Sequence, residues 1–239
     1  MMTTGILSDL NSSQREAVEA VQGPVLVLAG PGSGKTRVLT HRVAHLVTAY
    51  EVPPWQIMAV TFTNKAAREM KERIYRLLGD RFRKLTIGTF HAICARILRR
   101  EAEAAGISPR YVIYDTSDQL SLARQVIRDL NLDDKLYRPN AMLRVVSQLK
   151  NELVAPDDFS PATYREEIVK RFYERYQAVL AQNAALDFDD LLMKTVQLFA
   201  GNPDVRAAYQ QRYPFILVDE WQDTNMAQYE LVKLLALSL

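Results

Sequence analysis

The sequence predicts an α/β fold: a P-loop NTPase-type parallel sheet flanked by helices, with an inserted all-helical subdomain. Three observations predict it. Residues 29–36 read Ala-Gly-Pro-Gly-Ser-Gly-Lys-Thr, between an apolar run at 24–28 and a helical pattern of Val38, Leu39, Val43, Leu46 and Val47. Short apolar runs at 57–62, 85–89 and 215–218 alternate with helical patterns, as crossover-linked parallel strands do. From about Gly106 to Asn183 that alternation stops, and only Tyr111–Tyr114 reads as extended.

Taken in order, the chain opens with a capped helix after Asp9, with Asn11 or Ser12 as the cap and Glu16 near the capping-box position. Pro24–Leu28 reads as the first strand, and the helix that follows the glycine-rich turn runs to about Tyr50, before Pro53-Pro54. Ile57–Phe62 is the second strand, followed by a helix over 64–78. Leu85–Thr89 is the third, followed by a helix from Phe90 to Ala104. Helices over 116–130, 139–151 and 161–184, separated by Asn131, Pro139 and Pro156, make up the insertion. The parent domain resumes at Leu186–Leu192, Pro203 opens another helix, and Phe215–Val218 is the last strand. The expected domains are thus 1–105 with 184–239 for nucleotide, and 106–183 for the insertion.

The turn at 29–36 has the chemistry of a polyphosphate site. Its residues are Ala29, Gly30, Pro31, Gly32, Ser33, Gly34, Lys35 and Thr36. Glycines let backbone N–H groups crowd around phosphate, and the helix N-terminus adds partial positive charge. Lys35 is placed to reach the β- and γ-phosphates of ATP, and the Thr36 hydroxyl to bind Mg²⁺. Ala29 stands where the pattern usually opens with glycine, and Gly30, Gly32 and Gly34 supply the freedom instead.

The second chemical motif is Asp219-Glu220-Trp221-Gln222-Asp223, at the end of the last strand. Ligands of open α/β sheets bind beyond the carboxyl ends of strands. Asp219 there completes a magnesium site with Thr36, and Glu220 orients or deprotonates an attacking water. Alone, an acidic strand-to-helix loop is equally a solvated surface; paired with the P-loop it reads as catalytic.

Bulk properties bound the function less tightly. The chain has 239 residues, 24% of them charged, with a net charge of +2, so its overall charge neither demands nor excludes nucleic acid. Basic clusters at 68–84 and at Arg96, Arg99 and Arg100 read first as solvated helix faces. One cysteine, Cys94, forms no intrachain disulfide, and three histidines make no metal site. With no apolar run of membrane-spanning length and no signal peptide, the expectation is a cytoplasmic protein without membrane contact.

Six segments, in order, resemble superfamily 1 DNA helicases of the UvrD/Rep/PcrA type. They are Leu10-Asn11 with Gln14; Ala29–Thr36; Thr61–Ala67; Gly88–His91; Leu186–Leu191; and Asp219–Asn225. Trp221 departs from the family's usual Tyr or Phe but stays aromatic. The resemblance implies the first RecA-like motor domain of an ATP-dependent helicase moving 3′ to 5′ on single-stranded DNA and opening duplex. By that resemblance Gln14 reads the adenine edge, though from the sequence alone it reads first as an exposed first-turn helix residue. Phe62 stacks on a base or packs in the core, Thr89 contacts DNA or caps a helix, and Phe90 stacks or is core. Asn64 and His91 line the same strand. Gln222 links the γ-phosphate to the DNA-contacting elements, and Asp223 supports it. Asp187, Asp189 and Asp190 read mainly as charge at a helix start.

Arg37 follows the P-loop threonine and reaches toward nucleotide, on the wrong side to act as an arginine finger. The family's finger arginines come from a second RecA-like domain of the same full-length chain. An arginine finger is worth about 10³–10⁵ in rate, so the expectation is an N-terminal fragment that binds Mg-ATP, hydrolyses it very slowly and does not unwind. The alternatives are the motor part of a helicase–nuclease, and a truncated non-hydrolysing module that holds DNA or a partner.

Overall fold

A computed structural model describes residues 3–236. It is a mixed α/β structure whose main sheet is small, parallel and flanked by helices. In chain order its elements are α1 (Thr3–Leu7), α2 (Ser12–Glu19), α3 (Lys35–Thr48), β1 (Ile57–Thr61), α4 (Asn64–Leu78), β2 (Thr86–Thr89) and α5 (Phe90–Arg100). Then come β3 (Val112–Ile113), α6 (Thr116–Asp129), α7 (Pro139–Asn151), α8 (Tyr164–Gln182) and β4 (Ala185–Leu186). The chain continues through α9 (Phe188–Gly201), α10 (Pro203–Arg212), β5 (Phe215–Val218) and α11 (Met226–Leu235).

Contacts divide the chain into two compact units, 1–90 with 206–223 and 235–239, and 91–205 with 224–234. The expected insertion, 106–183, lies inside the second unit, which also takes in α5, α9 and most of α11. The outermost ends of the expected ranges, 1–2 and 237–239, fall outside the described residues.

The first unit is built on the sheet β2-β1-β5. β1 is buried along its whole length, as a central parallel strand covered on both faces must be. Its register pairs Val60 with Val218 and Thr61 with Thr89, and the Asp219 amide donates to the Val60 carbonyl at 2.9 Å. All three strands therefore end along one edge, which carries Phe62, Phe90 and Asp219 just beyond the ladder. The core includes Val43, Leu46, Ile57, Met70, Ile74 and Leu217. The second unit packs α6, α7 and α8 around Phe172, Tyr173 and Tyr176.

The expected strand at 24–28 is absent. Val25 and Leu28 are 39% and 86% exposed, and the segment has no ladder partner among the described residues. An apolar run records readiness for burial, whereas a strand exists only when a neighbour takes its backbone N–H and C=O groups. The N-terminal cap is Asn11, and its capping-box partner is Gln14 rather than Glu16. In the second unit, β4 joins β3 as a two-stranded parallel pair that the sequence pattern did not announce.

Cys94 is fully buried, and burial pushes its thiol up to about 12 against the opposing effect of its hydrogen bond with the Thr195 side chain. Thiolate is the reactive form. The native chain should therefore react with Ellman's reagent far more slowly than the same chain in guanidinium chloride; equal rates would contradict this placement.

Candidate functional site

The glycine-rich turn is held by its own backbone and by α2. Gly32 and Gly34 have φ of +76° and +90°, which side-chain-bearing residues rarely adopt. Gly34 is the N-cap of α3, and a Cβ there would lie 2.9 Å from the Gln14 side-chain nitrogen. The positive φ requires glycine at that position, and a side chain there would also displace the end of the Gln14 carboxamide. The Ser33 hydroxyl donates to the Gly30 carbonyl at 2.6 Å, closing the turn. Gln14 divides its carboxamide: Oε1 accepts from the Asn11 amide at 3.2 Å, and Nε2 donates to the Ser33 carbonyl at 2.9 Å. The residue expected to read adenine thus also ties α2 to the loop.

Lys35, at the first position of α3, folds its ammonium back over the turn, 3.3 Å from the Ala29 carbonyl and 3.5 Å from that of Gly30. Thr36 follows in the first turn of the helix, partly buried. Pro31 is exposed, and the exposed Arg37 lies 3.9 Å from Asp9.

Asp219 is 7% exposed at the end of β5. Burial and then the neighbouring Glu220 raise its pKa; the Glu220 amide, Lys35 and Arg73 pull the other way. Lys35 and Asp219, expected to converge, are therefore within electrostatic reach of each other. Arg73 acts on the same acid from α4, a role its place in a basic helix face did not signal. Glu220 has φ of +51°, a left-handed backbone that costs a non-glycine residue roughly 1–3 kcal/mol. Gln222 donates to the Glu220 carboxylate at 2.6 Å and lies 3.5 Å from that of Asp223, so the expected partners form one hydrogen-bonded set.

No group of three or more His, Cys, Asp or Glu side chains among the described residues is arranged to hold a metal by itself. That suits Mg²⁺, which takes one or two protein ligands and completes its shell with water and phosphate oxygens. Thr36 and Asp219 are chemically apt for those two places.

The strand ends carry the residues expected to meet DNA. Phe62 is half-buried, and its ring stands edge-on to Phe90 with centroids 5.7 Å apart. Phe90 is itself only 3% exposed, which corrects its expected stacking role: it braces Phe62 from within the core. Asn64 is exposed in the first turn of α4, behind the Thr63 cap. Thr89 is buried at 8% exposure.

His91 belongs to the second unit. It lies edge-on to Phe188 at 6.0 Å, and burial lowers its pKa while Asp189 opposes that shift. Phe188, the first residue of α9 and 44% exposed, lies within a segment that carried the resemblance but was not singled out there. The three aspartates at that start do more than complement a dipole. Asp187 caps α9 with Asp190, and Lys150, fully buried, donates to Asp187 at 2.6 Å and lies 2.9 Å from Asp190. Tyr176 donates to Asp187, and Asn151 donates to Asp189.

Comparisons with known proteins bear on this arrangement. Residues 10–238 match the family described as the UvrD/REP helicase N-terminal domain. The chain is 50% identical over 233 residues to the ATP-dependent DNA helicase PcrA of Bacillus subtilis (strain 168), covering 97% of this chain and 32% of that protein. It is 50% identical over 239 residues to PcrA of Leuconostoc citreum, covering 99% of this chain and 32% of that protein. To PcrA of Staphylococcus aureus (strain Mu50 / ATCC 700699) it is 48% identical over 233 residues, covering 97% of this chain and 32% of that protein. The chain thus spans about a third of the length of the curated relatives it matches.

Proposed function

The chain belongs to the UvrD/REP helicase N-terminal domain family, and from that premise we propose that it is the nucleotide-binding part of an ATP-dependent DNA helicase or translocase. The observation that carries this reading is the glycine-rich turn itself, whose Gly32 and Gly34 hold positive φ and over which the Lys35 ammonium folds back, in the same unit as the buried Asp219 just beyond β5. Residues 29–36 cradle the triphosphate with backbone N–H groups, Lys35 neutralises its terminal phosphates, and Gln14 reads the adenine edge. Thr36 and Asp219 would hold Mg²⁺, which would supply charge neutralisation at the phosphoryl oxygens. Glu220 orients the water for in-line attack and takes its proton. Gln222 and Asp223 relay the state of the phosphates to the DNA-contacting residues.

Phe62 offers the base-stacking face, Asn64 and Thr89 the polar contacts, and Phe90 the support behind Phe62. A DNA-contacting role for His91, in the second unit, rests on the family resemblance alone. By family resemblance, movement runs 3′ to 5′, within a cytoplasmic protein. Full turnover requires arginines from a second RecA-like domain, so these 239 residues alone bind Mg-ATP, turn it over slowly and do not unwind.

In the complete protein, oligo-dT should stimulate ATP hydrolysis. Phe62→Ala should weaken oligo-dT binding about 5- to 150-fold, the equivalent of roughly 1–3 kcal/mol for one stacked base. Fluorescence anisotropy with labelled oligo-dT and phosphate-release rates check both. Turnover indifferent to oligo-dT would remove the DNA-coupled reading, and unchanged binding in Phe62→Ala would remove the stacking role.

A further inference from the structure

In the second unit, α6, α7 and the loop between them enclose an open groove of about 1140 Å³. Its floor is apolar: Ile127 is buried there, with Leu120 and Leu143 partly buried beside it. Four exposed arginines stand around it, Arg124 and Arg128 one turn apart on α6, Arg138 just before α7, and Arg144 on α7. None of the four forms an ion pair among the described residues. Arg175, in the same unit, shows the alternative: it is held by Asp129 at 2.8 Å. Three carboxylates share the lining, Asp133, Asp134 and Asp189, so the arginines are in excess; Asp133 accepts from the Lys135 amide and Asp189 from Asn151. The first turn of α7, which also lines the groove, has no side-chain cap on its N–H groups.

We propose that this groove docks an acidic, amphipathic segment of a partner protein, with apolar side chains on the floor and carboxylates among the four guanidinium groups. Charge complementarity selects the sign of the partner, because four exposed cations without intrachain partners are available to pair across an interface. The apolar floor selects a peptide. Phosphate contacts alone would leave the partly exposed Leu120 and Leu143 uncovered, and single-stranded nucleic acid uses aromatic platforms, whereas none of the residues lining this groove is aromatic. Interface hot spots are enriched in arginine and cluster in well-packed pockets that exclude water. This docking role lies outside the nucleotide-and-DNA reading and does not depend on it.

Fluorescence anisotropy on the 239-residue chain tests the proposal with a labelled peptide of four Glu-Glu-Leu-Leu repeats. A Lys-Lys-Leu-Leu peptide of equal length serves as control, with a short DNA duplex and oligo-dT as competitors. The acidic peptide should bind and the basic one should not. The double variant Arg124→Glu/Arg144→Glu, whose two sites are exposed, should keep its melting temperature and lose peptide affinity about tenfold or more. Absence of binding beyond the basic control would overturn the proposal. So would displacement of the peptide by duplex or oligo-dT with an equal loss of DNA affinity in the double variant, which would make the groove a nucleic-acid surface. If the double variant melts early, Arg128→Gln alone decides: unchanged peptide affinity overturns the proposal, and weakened affinity supports it.

Discussion

Replacing Glu220 by Gln in the complete protein should cut ATP turnover about 10²–10⁴-fold, the usual contribution of a positioned general base, while Mg-ATP still binds. The substitution keeps size and hydrogen-bonding capacity and removes only the proton-accepting carboxylate. Gln222 already donates to that carboxylate at 2.6 Å, so the side chain's position is fixed by a partner that a carboxamide oxygen can also satisfy. The positive φ at Glu220 places the residue at a sharp turn beyond β5, where the backbone directs it away from the sheet's own ladder. Phosphate-release assays and equilibrium nucleotide binding separate the two effects. Turnover near that of the parent protein would remove Glu220 from the base role, and loss of nucleotide binding alongside turnover would make it a binding residue.

The largest stability effect should come from Lys150→Met. Lys150 is fully buried; burial opposes its charge, and the carboxylates of Asp190 and Asp187 outweigh that, holding its pKa above the ordinary lysine value. Removing one member of a buried ion pair typically costs about 3–5 kcal/mol, which for a chain of this size corresponds to a melting-temperature drop of roughly 6–20 °C. The sign of the pH dependence follows. Burial already pushes Asp187 up to about 6 with Lys150 present. Without the lysine, burial and mutual repulsion raise both carboxyl groups. A carboxyl group whose folded pKa exceeds its unfolded value adds stability that is fully present below the unfolded value and is lost as pH rises through the folded one. The deficit of Lys150→Met should therefore be greatest near neutral pH and shrink toward pH 5. Thermal or urea unfolding across that range checks it. A deficit independent of pH would mean lost packing rather than stranded charge.

These two sites differ in how legible they were. Lys35, Asp219 and Glu220 could be singled out because each sits in a local pattern, a glycine-rich turn or an acidic strand end, that a few neighbouring residues define. The helices over 64–78 and 139–151 were equally readable, the second from Pro139 at its start. Lys150 was not. Nothing near it in sequence marks a lysine at a helix end as buried, and its partners Asp187 and Asp190 lie on an element that only tertiary packing brings close. Pro24–Leu28 failed for a related reason, since strand formation needs a partner that an apolar run does not name. Phe62 and Phe90 looked alike in the sequence, each following a short strand. Only burial separates them, leaving Phe62 with a face to offer and Phe90 without one.

The central claim is that the Lys35 cradle and the acid at Asp219 serve one triphosphate through one magnesium ion. Titrating a fluorescent, non-hydrolysable ATP analogue into the 239-residue chain, with and without Mg²⁺, tests it directly when run on the parent, Lys35→Ala and Asp219→Asn. The expected result is magnesium-strengthened binding in the parent, little binding in Lys35→Ala, and binding in Asp219→Asn that no longer responds to magnesium. Parent affinity indifferent to magnesium, or a full magnesium response surviving in Asp219→Asn, would contradict it.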